Sequence, residues 1–576
     1  MLRPMRFREE AVRWLEEDPD PDTREELATL LDLGDESGLA DRFGERLQFG
    51  TAGIRGTLGA GPNRMNRALI RRVTSGLADR LNAVAEGAAA RGVVVGRDAR
   101  HKSDVFADDT AKVLAGSGLA VHRFPDPVPT PLVAFAVRAL RAAAGVQVTA
   151  SHNPPGDNGY KVYGPGGAQI LPPFDAEVAA AIDALDSLGD VPLAPDDDAL
   201  LWTVDPAVVD EYLEAALALV HRPAARDLSI VYTPLHGVAG DLCVELLERA
   251  GFNEVRAVPE QADPDPDFPT VAFPNPEMPG ALDLALALAG ETDADLVLAN
   301  DPDGDRVAAA VPAPAGGWRP LTGDEVGCLL ADHLLAEGDG GAERVVATTV
   351  VSSQMLARIA EAHGVGYAET LTGFKWLARA AADAEADGRR MVLAYEQALG
   401  VMVGTAVRDK DGLSAALVIA EMAAHYKTQG RTLLDALDDL ARRFGVHATA
   451  GASVRLEGPE GRALVQAALD RLRTRPPRQV AGIDVVAVAD HAAGVSRATD
   501  GAITELRTPA TDLVAVTLAD GTRLQLRPSG TEPLLKFYAE VVEPVGEGDV
   551  VAARERAAAR LAAVSGAFEA LALGVA

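Results

Sequence analysis

A chain of 576 residues exceeds what one ordinary hydrophobic core serves, so roughly three to five domains of about 150 residues are expected. Its 48% hydrophobic and 24% charged residues fit an average globular protein that works in water. With 54 Lys+Arg against 85 Asp+Glu the net charge is −31, a field that repels nucleic-acid backbones yet leaves room for a local basic pocket.

The chain opens on MLRPMRFREEAVRWLEEDPD, which lacks the apolar centre of a signal segment and reads as an amphipathic helix. RGVVVGRD then predicts a buried strand running into a loop, followed by a helix near VFADDTAKVLAGSG. GVQV predicts a second strand, ending in the polar stretch TASHNPPGDNGYKVYG. The Pro/Asp-rich GDVPLAPDDDA precedes a helix near DEYLEAALALV and suggests a boundary around residue 220. LSIVYTPLHGVAG and DLCVELLERAG repeat strand, glycine turn and helix, and ADLVLANDPDGDR gives another strand with a polar exit. VPAPAGGWRPLTGDE reads as a loop before a third unit, in which RVVATTVVSSQM and MVLAYEQALG are strands. HATAGASVRLEGPEG changes texture and begins a last unit, with RLQLRPSGTEPLLKFYAEV and a closing Ala-rich helix. Repeated strand, turn and helix is the pattern of α/β layers, in which ligand groups gather at the carboxyl ends of strands. Four units follow: 1–220, 221–317, 318–445 and 446–576.

Two cysteines, Cys243 and Cys328, each lie among apolar neighbours and read as buried thiols in a reducing compartment. No apolar run reaches the ~20 residues of a membrane span. The expectation is a cytoplasmic chain with neither membrane nor nucleic acid as partner.

Four stretches carry chemistry. Ser151, at the end of a strand, is a weak nucleophile without a base or metal, and His152 and Lys161 are local candidates for the base; such a stretch also simply makes a loop. Asp301, Asp303 and Asp305 alternate, so a gently turning backbone presents three carboxylates to one point, a set suited to Mg²⁺. A calcium EF-hand is excluded, because its glycine and glutamate positions hold Arg306 and Pro312. In RPSGTEP, Arg527 supplies a planar fork, and Ser529, Gly530 and Thr531 supply hydroxyls and backbone N–H groups, the parts of a phosphate cradle. Glu396 in AYEQALG is a lone carboxylate at a strand end, able to accept bonds from sugar hydroxyls. Lys410, between Asp409 and Asp411, reads equally well as a surface salt-bridge cluster.

Together FGTAGIRG (49–56), TASHNPPGDNGYKVY (149–163), DPDGDR (301–306), EQALG (396–400) with RDKDG after it, and RPSGTEP (527–533) resemble the α-D-phosphohexomutase family, the phosphoglucomutases and phosphomannomutases. The resemblance implies four domains around a central active-site cleft, three related mixed α/β domains and a smaller C-terminal α+β domain. It implies that Ser151 carries a phosphoryl group and, with Asp301, Asp303 and Asp305, ligates one Mg²⁺. It implies a mutase that forms a sugar bisphosphate from glucose or mannose phosphates, with a sugar bisphosphate as activator. The partners it implies are small phosphosugars, the chain itself being a monomer or homodimer. Arg55, His152, Lys161, Arg306 and Lys410 match basic positions near the reacting phosphate, with proton transfer assigned among His152, Lys161 and Lys410. Arg527, Ser529, Gly530 and Thr531 match its phosphate-binding loop, and Glu396 and Ala398 stand in its sugar-recognition loop. That loop reads Glu-Glu-Ser-x-Gly in many relatives and Glu396-Gln397-Ala398-Leu399-Gly400 here, losing a charge and a hydroxyl. Ala398, the N-terminal helical region and TGFKW, with Thr372, Gly373 and Lys375 as further substrate contacts, are similar to the branch with phosphoglucomutase-2 and phosphopentomutases. A ribose 1-phosphate/5-phosphate mutase is the alternative, and a metal-dependent sugar phosphatase a more distant one.

Overall fold

The computed structural model describes residues 2–50, 53–222, 226–337, 341–456, 458–529, 534–546 and 549–574. By its contacts the chain forms two units. One comprises Met1–Leu321, Ala381–Glu385 and Ala398–Thr428; the other comprises Thr322–Ala380, Ala386–Gln397 and Gln429–Ala576.

The first unit opens with three helices, Leu2–Glu17, Pro21–Leu33 and Glu36–Phe43, where one was expected. The second and third start at Asp20 and Asp35, whose carboxylates accept from the backbone N–H groups of Asp22 and Gly38. Ala11, Leu27, Leu31, Leu39 and Phe43 form their shared core.

A six-stranded sheet follows, ordered Ile54–Thr57, Asp157–Tyr163, Ala144–Val148, Val93–Arg97, Val121–Arg123, Leu201–Thr203. Val93–Arg97 runs parallel to Ala144–Val148 and Val121–Arg123, while Asp157–Tyr163 returns antiparallel to Ala144–Val148. Central parallel strands are covered on both faces, hence the apolar run VVVG and the buried AGVQV, whose one polar residue, Gln147, donates to the Val128 carbonyl at 2.9 Å. Leu69, Val73, Leu77, Phe106 and Leu114 from the helices Arg67–Val84 and Ser103–Gly116 pack against Val93, Val95, Val146 and Val148.

The unit's second sheet is ordered Trp318–Pro320, Val307–Pro312, Leu296–Asn300, Ser229–Thr233, Glu254–Ala257. The stretch read as a separating loop therefore contains a strand. Gly316 and Gly317, at φ 89° and 77°, turn the chain so that Trp318–Pro320 pairs back on Val307–Pro312. Both cysteines are buried, as the apolar neighbours indicated.

In the second unit, Gly366–Thr370, Arg344–Thr349 and Arg390–Glu396 form a parallel array. After it comes a largely antiparallel C-terminal sheet, in which Val446–Arg455, Leu534–Glu543, Arg523–Pro528 and Val514–Leu518 are successive neighbours. The closing helix Val550–Leu573 packs on it through Val564 and Phe568. Among the described residues no helix is long and apolar enough to cross a membrane.

Candidate active site

Ala144–Val148 ends at the sheet rim and the chain turns sharply, with Ser151 at φ 54° and nearly fully buried. A non-glycine residue in that region is strained and needs its neighbours to hold it. Ser151 N–H donates to Thr149 Oγ1 at 2.8 Å, and Arg100 Nη2 donates to the Ser151 carbonyl at 2.7 Å. Arg100 also reaches the carbonyls of Asn153 and Pro154 at 2.6 and 2.8 Å, so one guanidinium splints the whole turn. Phe268 lies under it, 4.9 Å from ring centre to guanidinium carbon.

The Ser151 hydroxyl donates to Asp301 Oδ2 at 2.8 Å and lies 3.1 Å from His152 Nδ1. Asp301 follows the strand Leu296–Asn300, and Gly304, at φ 71°, closes the tight turn by donating to the Asp301 carbonyl. The turn gathers Asp301, Asp303 and Asp305, all fully buried, with one oxygen from each within 4.8 Å of the others. Lys161 Nζ, on the strand Asp157–Tyr163, donates to Asp303 Oδ2 and Asp305 Oδ2 at 2.6 and 2.7 Å. Lys410 Nζ stands 3.1 Å from Asp305 Oδ2, and Thr130 Oγ1 donates to Asp303 Oδ2 at 2.7 Å.

Electrostatics divide the three carboxyls. Burial, then the charges of Asp303 and Asp305, push Asp301 well above the usual carboxylate range. Burial would raise Asp303 too, but Lys161 and Thr130 bring it far below that range. Asp305 is likewise held down, by Lys161, Lys410 and Arg306, against burial and Asp303. Burial, with Arg306 and Arg55 nearby, lowers His152 well below an ordinary imidazole, so near neutral pH it is uncharged. The Oδ1 atoms of Asp303 and Asp305 are buried and accept no hydrogen bond. Buried carboxylate oxygens without partners, three carboxylates converging, suit a hard cation that prefers oxygen ligands.

Cations ring this centre. Arg55 stands on Ile54–Thr57, which pairs antiparallel with the strand of Lys161, opposite Gly159. Arg306 donates its backbone N–H to Asp301 Oδ1 at 3.0 Å and lies 3.3 Å from Glu277. Asp409, Lys410 and Asp411 are buried, which removes the reading of a surface salt-bridge cluster. Asp409 accepts from Gln169 at 2.8 Å, and Asp411 from Tyr212 at 2.9 Å. Gly412 allows this approach, because a Cβ there would meet the Arg306 carbonyl at 2.2 Å. Ala398 is partly buried in the turn before Gly400, whose strand bridges Arg306.

The second unit assembles a separate cluster. Glu396 ends the strand Arg390–Glu396 and accepts from the Gly373 N–H at 2.8 Å. Arg527 Nη1 donates to Thr372 Oγ1, and the Lys375 ammonium lies 5.6 Å from the Trp376 ring centre. Ser529 N–H donates to the Leu534 carbonyl at 2.8 Å, while Gly530 and Thr531 lie outside the described residues. The geometry thus brings Ser151, His152, Lys161, Lys410, Arg55, Arg306 and the three aspartates into one centre. Thr372, Gly373, Glu396 and Arg527 come together in another. Arg100 and Thr130 were not anticipated. Their signals, an arginine two residues after the aspartate of VVVGRD and a threonine at a helix start, are too common to single out.

Comparison with known proteins places this architecture. Models of the phosphoglucomutase/phosphomannomutase α/β/α domains I, II and III match residues 46–188, 210–316 and 322–444, and the C-terminal domain model matches 464–558. A Haemophilus influenzae protein named "Probable phosphomannomutase" is 39% identical over 83% of this chain and 93% of its own length. A phosphopentomutase of Mus musculus is 35% identical over 94% of this chain and 92% of its own. The crystal structure of Paramecium pp63/parafusin, titled a phosphoglucomutase, superposes with a TM-score of 0.67 at 18% identity, covering 91% of this chain and 96% of that one, and so shares the fold. With all four domain models in order along the chain and relatives above 30% identity over most of it, the chain belongs to the phosphoglucomutase/phosphomannomutase family of α-D-phosphohexomutases.

Proposed function

We propose that this phosphosugar mutase interconverts glucose or mannose 1-phosphate and 6-phosphate by passing a phosphoryl group through Ser151. The observation that carries the proposal is the Ser151 hydroxyl 2.8 Å from Asp301, within a buried triad of aspartates. The donor set fits one Mg²⁺, held by Asp301, Asp303, Asp305 and the Ser151 oxygen. Bound there, Mg²⁺ would neutralise phosphoryl charge and align the group for in-line transfer.

The chain's own residues supply the rest. The bond between phosphorus and Ser151 Oγ breaks as the bond to the sugar oxygen forms, and the sugar hydroxyl yields its proton to a neighbouring base. The bases offered are His152, whose Nδ1 lies 3.1 Å from Ser151 Oγ, and Lys161 and Lys410 behind the carboxylates. The sugar bisphosphate then reverses, and Ser151 takes back the other phosphate. Arg55 and Arg306 offset charge on the reacting phosphate. Glu396, with Thr372, Gly373, Lys375 and Ala398, reads the sugar, and Arg527, Ser529, Gly530 and Thr531 hold the phosphate that does not react. A sugar bisphosphate serves as activator by phosphorylating a Ser151 that has lost its group. We also infer a cytoplasmic site of action.

A pentose substrate is the second reading. It is favoured by the match to a phosphopentomutase over 94% of the chain, and by the Gln397-Ala398 pair in the sugar loop. Ser151→Ala tests the core of the proposal: turnover on every sugar phosphate should vanish while thermal unfolding stays within a few degrees of the parent. Turnover retained in that variant would exclude a phosphoserine route.

A further inference from the structure

The three N-terminal helices stand outside the stretch matched by the domain I model, which begins at residue 46. Between them and the six-stranded domain lies a cavity of about 420 Å³; none of its lining residues is assigned to the reaction, though Ile54 adjoins Arg55. That size falls in the usual range of small-molecule pockets, about 300–1,000 Å³. Trp14 and Phe43 from the helices and Phe49 from the domain give aromatic surface to a lining that is otherwise largely polar and charged.

Three arginines, Arg13, Arg46 and Arg72, line the same cavity. Arg13 and Arg46 make no ion pair among the described residues. Arg72 is mostly buried, with its side chain 18% exposed, and is poorly matched. Its Nη1 donates to the Leu185 carbonyl at 3.0 Å, its Nη2 reaches Glu17 only at 3.4 Å, and its Nε is buried without an acceptor. Glu17 pairs with Arg72 only at that long distance, since its carboxylate is also held by two other donors. It accepts from Ser187 Oγ at 2.8 Å and from Leu188 N–H at 3.1 Å. With Glu17, the residues Glu10, Asp183 and Asp186 set four carboxylates against the three arginines. Asp183 and Asp186 are exposed, as Arg13 and Arg46 are, so water and salt screen these four residues, and Arg72 is the buried charge of the site. Burying a guanidinium with a donor unused is costly, and an incoming anion would relieve that cost.

We propose that this cavity is a second ligand site, distinct from the mutase centre, for a small organic phosphate carrying a flat ring. The ring would stack against Trp14 and Phe49, and the phosphate would meet Arg72 from inside and Arg13 and Arg46 at the mouth. Trp14 is one of only four tryptophans in the chain, so it reports on the cavity directly.

The test is fluorescence titration of the full chain with adenosine 5′-monophosphate, beside inorganic phosphate as the ringless control. The expected result is a saturable change that Trp14→Phe removes, with phosphate alone at least severalfold weaker. Arg72→Leu should weaken the nucleotide about tenfold or more, the size expected for charge-assisted bonds. Arg46→Ala, at an exposed position, should weaken it severalfold. Saturating glucose 1-phosphate should leave the signal in place. The proposal is overturned by no saturable change up to millimolar nucleotide, by affinity unchanged in both arginine variants, or by displacement with glucose 1-phosphate. Because the readout is binding, none of these outcomes depends on whether the chain is a mutase.

Discussion

Ser151 at φ 54° is a residue held against its own preference, a cost on the order of 1–3 kcal/mol that the Thr149 and Arg100 hydrogen bonds offset. Replacing its side chain leaves that arrangement intact, which is why loss of turnover without loss of fold is expected of the alanine variant. Arg527 poses the complementary case: its Nη1 donates to Thr372 Oγ1 and its Nε to the Pro528 carbonyl at 3.2 Å, and the proposed reaction gives it the phosphate that does not react. Arg527→Ala should raise KM roughly 30- to 150-fold, the equivalent of about 2–3 kcal/mol of charge-assisted bonding. An unchanged KM in steady-state assays would place the phosphate clamp elsewhere. Asp324 offers a pH test in the second unit. It is buried and accepts from Ser353 N–H, Tyr395 OH and Thr449 Oγ1, yet burial, with Glu540 adding to it, raises its carboxyl to about 6. Between about pH 4 and pH 6 the unfolded chain has released this proton while the folded chain keeps it. Asp324 therefore contributes stability at low pH that is lost as pH rises. Asp324→Asn cannot ionise, so its stability relative to the parent should improve by up to roughly 3 kcal/mol from pH 4 to pH 7. A gap independent of pH in denaturant melts would contradict this.

At the scale of elements, the serine turn is splinted by a side chain brought from another strand end. Arg100 reaches the carbonyls of Ser151, Asn153 and Pro154 and is itself paired with Asp98 at 3.4 Å, both fully buried. Arg100→Ala leaves Asp98 as an unpaired buried charge, and should cost about 3–5 kcal/mol in chemical denaturation as well as most of the turnover. Arg100→Lys should rescue little, since one ammonium does not reach three carbonyls. Full stability in the alanine variant would mean the turn holds itself.

This element also marks how far the sequence was legible. TASHNPPGDNG and DPDGDR declared themselves because their chemistry is contiguous: a strand end and its turn are written in neighbouring residues. That Ser151 meets Asp301 across 150 positions was carried by family resemblance, since no periodicity encodes a contact between two sheets. Lys410 was ambiguous for the same reason. Three charges in a row look like surface until Gln169, Tyr212 and Asp305 are seen to bury them. The second and third N-terminal helices were overlooked although Asp20 and Asp35 are ordinary N-caps. Short helices between prolines and glycines resemble loops in composition. Trp318–Pro320 was hidden similarly, a strand of three residues behind a double-glycine turn.

For the molecule as a whole, a net charge of −31 sets the problem that its local cations answer. In the proposed reaction a phosphosugar is repelled at long range and met by local cations, Arg55, Arg306, Lys161 and Lys410 in the first unit and Arg527 in the second. Ser151 and the three aspartates belong to the first unit, and Glu396 and Arg527 to the second. The most direct test of that account is ³¹P NMR of the purified chain with Mg²⁺ and a trace of sugar bisphosphate. Glucose, mannose and ribose 1-phosphates would be supplied in turn. The account predicts that the 1-phosphate signal is replaced by that of the 6- or 5-phosphate, that chelating the metal stops the change, and that restoring Mg²⁺ resumes it. Accumulation of inorganic phosphate in place of the isomer would contradict it, and would make the serine centre hydrolytic.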